Sequence, residues 1–269
     1  MREPVHVTVW SPADPRRRDA APAIFVHGVF TWGDDAAYGF AGQRPLADER
    51  PLLLMDRRGY GLSPDTERSD IDIDADDLVA LLDARTTGAH LVGHSNGGLA
   101  AMLAAALRPD AVRSLALIQP SALRAAAGHP AVRALLARVG AAADPPHPEI
   151  DPTEFLRLST AGMGMTMPTP TPERLRAVRT SMRERPVWES DPPLAPLAAA
   201  PWPSLVITGT WNDAPEQYRR YAGEPLLACA DAVAARIGAR RLRVPGYYPH
   251  TQHPGAVNVA LRALWASAG

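Results

Sequence analysis

The segment LVGHSNGG at residues 91–98 holds a serine in a setting that suits a nucleophile. It matches the pattern G-x-S-x-G around Ser95, with an apolar run before it and an alanine-rich helical pattern after it. A serine on such a strand-to-helix turn has a strained backbone, and Gly93 and Gly97 remove side chains that would clash there. The start of the helix would also place its dipole and the Asn96 N–H beside an oxyanion. The pattern therefore predicts a nucleophile elbow.

Short apolar runs alternate with helical patterns along most of the chain, as is typical of a parallel sheet covered on both faces. The predicted strands are residues 5–10, 23–28, 52–57, 90–95, 114–119, 204–209 and 241–246. Helices are predicted over residues 71–84, 96–108, 215–238 and 254–267, where apolar residues recur at three- and four-residue spacing. These elements predict an α/β fold with a mostly parallel sheet flanked by helices.

One interval, residues 121–200, contains amphipathic helical segments separated by proline clusters and shows no strand pattern. We interpret it as an inserted helical cap, or lid, on a core formed by residues 1–120 and 201–269. Within it, Met163 and Met165 belong to the segment AGMGMTMP, which offers a soft and adaptable apolar surface. Two interpretations remain open for these methionines: they line a ligand pocket, or they attach the cap to the core.

Three segments resemble those of the α/β-hydrolase superfamily, and the likeness extends over nearly the whole chain. FVHGVF at 25–30 spans the end of the second predicted strand, DRRGYGLS at 56–63 the end of the third, and GHSNGG at 93–98 the end of the fourth. A helical cap and two closing strands come after them. The resemblance implies the α/β-hydrolase fold, and it implies that the backbone N–H of Val29 or Phe30 completes an oxyanion hole.

The same resemblance implies a carboxylate in the loop after the sixth strand, but the sequence departs from the family there. The usual position of the acid holds Asn212, and Asp213 is one residue further on. The alternative position, after the preceding strand, holds Gln119. Asp213 is therefore the candidate acid, and we expect Asn212, Trp211 and His94 to lie at the binding surface.

The histidine of the family falls in VPGYYPHTQHP, residues 244–254, where two alignments compete. Alignment on the Pro-His pair places Tyr247 at the catalytic position and matches more residues. Counting forward from the strand instead leaves His250 one residue from the expected place, and His253 faces solvent. A tyrosine, with a reference pKa near 10, is a poor base at neutral pH but a good hydrogen-bond donor.

Three functional hypotheses follow. The first, placed narrowly ahead, is hydrolysis or acyl transfer on a small hydrophobic ester, thioester or lactone, with Ser95 as nucleophile, His250 as base and Asp213 orienting it. The second is a non-hydrolytic cyclase, lyase or isomerase of a natural-product-like substrate, in which Ser95, Tyr247 and the oxyanion amides polarise a carbonyl. The third is a binding protein, or an inactive variant in which Tyr247 has replaced a histidine.

Composition narrows the range of partners. The net charge of −1 gives no electrostatic reason to expect nucleic acid or an anionic membrane, so the expected partner is a small hydrophobic substrate. All 28 basic residues are arginine, which excludes a lysine Schiff base, and Cys229 is the only cysteine. Four scattered histidines show no metal-ligand spacing: His6, His90, His129 and His147. We expect neither a metal nor a cofactor.

The N-terminal segment MREPVHVTVW has no apolar signal core, and no run approaches the roughly 18 apolar residues of a membrane span. The expectation from these patterns is a soluble, cytoplasmic protein.

Overall fold

A seven-stranded sheet forms the centre of the protein in this computed structural model, which describes residues 2–85, 87–141 and 150–268. The strands are β1 (Val7–Trp10), β2 (Ala23–Val26), β3 (Leu52–Met55), β4 (Ala89–His94), β5 (Val112–Ile118), β6 (Ser204–Gly209) and β7 (Arg240–Val244). Their order is β1-β3-β2-β4-β5-β6-β7, with β1 antiparallel to β3 and every other pair parallel. The predicted fold class is confirmed, and each predicted strand is present within a few residues of its predicted bounds.

Helices cover both faces of this sheet. They are α1 (Ile71–Asp83), α2 (Asn96–Leu107), α3 (Pro130–Ala141), α4 (Pro152–Thr160), α5 (Pro172–Met182), α6 (Leu194–Ala198), α7 (Glu216–Tyr218), α8 (Glu224–Ile237), α9 (Pro249–Gln252) and α10 (Pro254–Ala266). Short 3₁₀ helices lie at Pro15–Arg17, Ala41–Asp48, Pro109–Ala111, Leu123–Ala126, Ala161–Met163 and Val187–Glu189. The predicted helix over 215–238 is divided, because a π-helical turn at Arg219–Gly223 separates α7 from α8.

The sheet separates two apolar clusters, as alternation along β2 illustrates. Ile24 and Val26 belong to one cluster, together with buried residues of α1, α2 and α8. Ala23 and Phe25 belong to the other, together with buried residues of α10. Since β2 is buried on both faces, its sequence is continuously apolar, which is why such strands are recognisable in the sequence.

Between β5 and β6 the described residues form helices α3 to α6 and no strand, and we call residues 119–203 the helical insertion. Residues 142–149 of this stretch, including His147, lie outside the described residues. The division into a core and a separate cap over 121–200 stays a prediction. Among the described helices, none combines the length and the apolar character needed to cross a membrane.

Strained backbone concentrates at the carboxyl ends of the parallel strands. The non-glycine residues with positive φ are Phe30, Ser95, Gln119 and Trp211, which follow β2, β4, β5 and β6. Such conformations cost free energy and persist where the surrounding structure imposes them, which is common at functional sites. All four lie along one edge of the sheet, so we expect a functional site at this edge.

Candidate active site

Ser95 lies on the sharp turn between β4 and α2, with φ 53° and ψ −120°. The neighbouring glycines are required by close backbone contacts. A Cβ on Gly97 would lie 2.4 Å from the carbonyl oxygens of both Val26 and His27, and a Cβ on Gly93 would lie 2.5 Å from the Gly97 carbonyl oxygen. The elbow geometry predicted from G-x-S-x-G is therefore what this backbone adopts.

The Ser95 side chain opens into a cavity of about 240 Å³. Among the predicted binding residues, the cavity is lined by Val29, Phe30, His94 and Met165. Met163 is half-buried in the 3₁₀ turn nearby and is not among the residues that line this cavity. The Ser95 hydroxyl lies 3.0 Å from the hydroxyl of Ser121, a neighbour that the sequence pattern did not suggest. A small cavity that combines apolar side chains with hydroxyl and imidazole groups suits a small, mostly apolar ligand with a polar functional group.

The loop after β2 passes directly against the serine. A Cβ on Gly28 would lie 2.9 Å from the Ser95 Cβ and 3.4 Å from its Oγ. In the described part of the chain, neither the Val29 N–H nor the Asn96 N–H donates to a protein acceptor, whereas the Phe30 N–H donates to the Ser181 hydroxyl at 3.1 Å. Asn96 is the first residue of α2, so its N–H has no partner within the helix. Val29 and Asn96 thus offer two unused donors beside Ser95.

His250 and Asp213 are not joined to Ser95 in this arrangement. His250 is fully buried, with Nε2 3.1 Å from the Tyr38 carbonyl oxygen; its Nδ1 has no hydrogen-bond partner in the part of the chain that the structure describes. Asp213 is exposed, like Asn212, and no hydrogen bond between described residues links it to His250. His250 therefore lies buried against His94 and forms no hydrogen-bonded pair with Asp213 among the described residues. The catalytic roles of His250 and Asp213 stay predictions.

His94 is the histidine that lines the cavity with Ser95. Its Nδ1 packs against Gly28, 3.3 Å from the position that a Cβ would take there, and has no hydrogen-bond partner among the described residues. The His94 ring packs against His250 with centroids 4.2 Å apart. Burial, followed by the neighbouring His250 and His27, holds the pKa of His94 well below 6.5, so its imidazole is neutral at neutral pH.

Tyrosine side chains form the wall of the cavity beyond His94. Tyr248 lines it, together with Tyr38 and Tyr218, and the Tyr248 and Tyr218 hydroxyls are 2.8 Å apart. Burial raises the pKa of Tyr248 well above 10 and that of Tyr218 to about 12, so both hydroxyls remain protonated donors. Tyr247, the residue chosen from the sequence, is half-buried and packs against Trp211 outside the lining. The segment GYYPH offers two adjacent tyrosines as candidates. The one chosen from the sequence, Tyr247, precedes by one residue the one that lines the cavity, Tyr248.

Gln119, at the alternative position of the acid, joins neighbouring loops through hydrogen bonds of its side chain. Its side-chain oxygen accepts from the Gly209 N–H and the Trp211 Nε1–H, each at 3.0 Å, and its Nε2 donates to the Tyr247 carbonyl at 3.1 Å. These bonds connect the loops after β5, β6 and β7. An amide fits this position because it both donates and accepts, which an ionised carboxylate does not.

A buried charge network lies beneath the elbow. The fully buried guanidinium of Arg57 bonds to Asp74 at 2.7 Å and to Glu184 of the helical insertion. Glu184 also accepts from the Asn96 side-chain amide at 3.1 Å and from the Tyr60 hydroxyl at 2.9 Å. Burial, opposed by the attraction of Arg57, raises the pKa of Asp74 to about 6. Buried charges are tolerated when paired, and this pairing joins the insertion to the core next to the elbow helix.

We expect acid to destabilise the fold because several histidines are buried in the neutral form. Burial is the main cause that lowers the pKa of His27 and His90 to about 3 and that of His250 to about 4. The unfolded chain binds these protons near pH 6.5, so the free energy of unfolding falls as the pH drops below 6.5, by up to about 1.4 kcal/mol per pH unit for each histidine. Asp74 opposes this trend, since its raised pKa lets the native state bind a proton first.

Urea unfolding at pH 7, 6 and 5 measures this dependence. In His250→Leu, the free energy of unfolding should fall less on acidification than in the wild type, by up to about 1.4 kcal/mol per pH unit. Equal slopes in the wild type and His250→Leu would show that His250 does not titrate in this way.

The sequence matches the model of a known protein family. A model described as the alpha/beta hydrolase family matches residues 23–260. Among curated proteins, the chain is 36% identical over 118 residues to lipase LipV of Mycobacterium tuberculosis, covering 44% of this chain and 42% of that protein. It is 34% identical over 99 residues to esterase YbfF of Escherichia coli, covering 36% of this chain and 38% of that protein. The chain thus spans less than half the length of these two relatives.

Among solved structures, a thermophilic esterase from Thermogutta terrifontis superposes with a TM-score of 0.61 at 23% identity, over 98% of this chain and 93% of that one. This likeness concerns the fold. Because the family model covers most of the sequence and the fold agrees with it, the chain belongs to the alpha/beta hydrolase family.

Proposed function

We propose that this protein hydrolyses small hydrophobic esters, thioesters or lactones, or transfers their acyl group, through Ser95 and without a cofactor. The observation that carries the proposal is the Ser95 elbow, which holds the hydroxyl at a cavity beside two N–H groups that donate to no acceptor among the described residues. The names of the partly matched relatives, a lipase and an esterase, support the same class of reaction.

The reaction begins when the Ser95 oxygen attacks the carbonyl carbon and its proton passes to a base. The electron pair of the carbonyl moves onto oxygen, and the Val29 and Asn96 N–H groups donate to the resulting oxyanion. When the carbonyl re-forms, the leaving group departs and takes the proton from the base, leaving an acyl group on Ser95. Water then adds by the same route, which releases the carboxylic acid and restores the hydroxyl.

We assign the base to His94, in place of His250, because His94 is the imidazole that lines the cavity. His250 packs against that ring, with centroids 4.2 Å apart, and we assign it a supporting role. Burial lowers the pKa of His94, so its imidazole is neutral but a weaker base than an imidazole held by a carboxylate. A modest turnover number is the expected consequence.

Hydrolysis of a series of p-nitrophenyl esters, from acetate to dodecanoate, tests the proposal. The cavity of about 240 Å³ is smaller than the roughly 300–1,000 Å³ of pockets for drug-sized ligands, so the short esters should show the highest kcat/KM. His94→Gln should abolish the reaction, and His250→Gln should weaken it less. Absence of hydrolysis for every ester, thioester and lactone offered to the folded protein would refute the proposal.

A second candidate is a non-hydrolytic cyclase, lyase or isomerase. The tyrosines that line the cavity, Tyr38, Tyr218 and Tyr248, favour it. Tyr248 and Tyr218 line the cavity, and because one hydroxyl of this protonated pair donates to the other, one O–H is left that can donate to a substrate carbonyl while the cavity holds the substrate in a reactive shape. Such an enzyme polarises its substrate without forming an acyl group on Ser95. Proton donation of this kind contributes about 10²–10⁴ to a rate.

Tyr248→Phe distinguishes the two candidates. For a non-hydrolytic enzyme we expect kcat to fall by about 10² or more, because the donor is lost; for the hydrolase we expect less than a tenfold effect on ester hydrolysis. Tyr247→Phe is the matched control, since this ring lies outside the cavity lining and should leave kcat unchanged. Unchanged turnover of every substrate in Tyr248→Phe would exclude the second candidate. Tight binding of a ligand with no turnover would favour the binding-protein hypothesis instead.

A further inference from the structure

The peptide groups around Phe30 are bound on both sides by one helix of the insertion. The Phe30 N–H donates to the Ser181 hydroxyl at 3.1 Å, and the Phe30 carbonyl accepts from the Arg174 guanidinium. Both Ser181 and Arg174 belong to α5. Phe30 itself has φ 62°, a left-handed conformation that a phenylalanine adopts only when its surroundings impose it.

Arg174 is well placed to impose this conformation because it is itself firmly held. Its side chain is 5% exposed, and its guanidinium bonds to Asp35, in the same loop as Phe30, at 2.7 Å. The guanidinium also stacks over the rings of Trp32 and Tyr38, at 4.8 and 5.2 Å from their centroids. A planar guanidinium that is bonded and stacked at once has little freedom to move.

Ser181 is oriented to accept rather than to donate toward Phe30. Its hydroxyl donates to the Ala177 carbonyl at 2.9 Å, one turn earlier in α5, which leaves a lone pair for the Phe30 N–H. The hydroxyl also lies 3.1 Å from the Tyr60 hydroxyl, which is bonded to Glu184. The acceptor is therefore part of the same buried network that surrounds the Asn96 side chain.

One consequence concerns the oxyanion hole. Because the Phe30 N–H is used by Ser181, it is not free to bind an oxyanion, whereas the preceding N–H of Val29 has no protein acceptor in the described residues. We propose that Ser181 and Arg174 are positioning residues, which hold Phe30 in its left-handed conformation and thereby leave the Val29 N–H as the loop's oxyanion donor. The kinetic part of this inference rests on the proposed function; the holding of Phe30 does not.

Steady-state kinetics on a short p-nitrophenyl ester test the positioning. Removal of one oxyanion donor costs roughly 10²–10³ in kcat, and a donor that is misaimed should lose a large part of that. We expect Ser181→Ala to lower kcat at least tenfold with KM changed less than threefold, and Ser181→Thr, which keeps the acceptor oxygen, to restore kcat. Arg174→Met should act in the same direction. Arg179→Ala, at an exposed position of α5, is the control and should behave as the wild type.

Amide hydrogen exchange of Phe30, followed by NMR, tests the holding without any turnover. The Phe30 amide should exchange slowly in the wild type and at least tenfold faster in Ser181→Ala, with Arg179→Ala unchanged. Unchanged exchange in Ser181→Ala would overturn the proposal, and so would faster exchange with an unaltered kcat. If the wild type hydrolyses no ester, the proposed function fails, while the exchange rates still decide whether Ser181 holds Phe30.

Discussion

Ser95→Ala is expected to lower kcat for ester hydrolysis by about 10³ or more, because the variant lacks the hydroxyl at the elbow that we propose forms the acyl intermediate. The fold should persist, since the exchange removes one oxygen and its 3.0 Å contact with the Ser121 hydroxyl. Loss of such a bond changes the free energy of unfolding by about 1 kcal/mol. Steady-state kinetics together with urea unfolding measure both effects on the same protein.

Ser121→Ala is the matched control for this prediction. It removes the other oxygen of the same 3.0 Å pair but leaves the nucleophile and the Val29 and Asn96 donors in place. We expect Ser121→Ala to keep kcat within tenfold of the wild type. A Ser95→Ala protein that retains full turnover would show that the serine is not the nucleophile. The cavity tyrosines Tyr218 and Tyr248 would then be the candidate catalytic groups.

Gly97→Ala is expected to produce the largest loss of stability. The added Cβ would lie 2.4 Å from the carbonyl oxygens of Val26 and His27, both of which are backbone atoms that cannot rotate away. Either β2 or the elbow must move, so we expect the free energy of unfolding to fall by about 4 kcal/mol or more. Urea unfolding of the purified variant measures this loss, and poor yield of folded protein would be in line with it.

Gly255→Ala provides the comparison. Gly255 lies in the first turn of α10, and a Cβ there meets no atom within 4 Å. Alanine favours a helix over glycine by up to about 1 kcal/mol, so this variant should be as stable as the wild type or slightly more stable. If Gly97→Ala unfolds at the same urea concentration as Gly255→Ala, the close approach of the elbow to β2 described here is wrong.

The sheet could be predicted from the sequence because its parallel strands are buried on both faces. Runs such as LLLM in β3 contain no polar alternation, and they were recognisable without any tertiary information. The elbow was recognisable because backbone clashes on both sides require glycines at fixed spacing from Ser95. The break between α7 and α8 was missed, since the apolar periodicity over 215–238 continues across the π-helical turn.

The partners of Ser95 could not be predicted in the same way. Whether Tyr247 or Tyr248 faces the cavity depends on a one-residue offset that the loop after β7 sets in three dimensions. The contacts of Ser181 and Glu184 with Phe30 and Asn96 join residues that are 151 and 88 positions apart, and no local pattern encodes them. The sequence therefore predicted the elbow at Ser95, while the groups that contact the loop after β2 emerged only from packing.

The most direct test of the account is reaction of the purified protein with a fluorophosphonate, followed by intact mass and peptide mapping. Such a probe phosphonylates an activated serine and needs no knowledge of the natural substrate. The account predicts one adduct per chain, located at Ser95 and absent from Ser95→Ala. A folded wild-type protein that gains no adduct, or gains one on a residue other than Ser95, would contradict the assignment of Ser95 as the nucleophile.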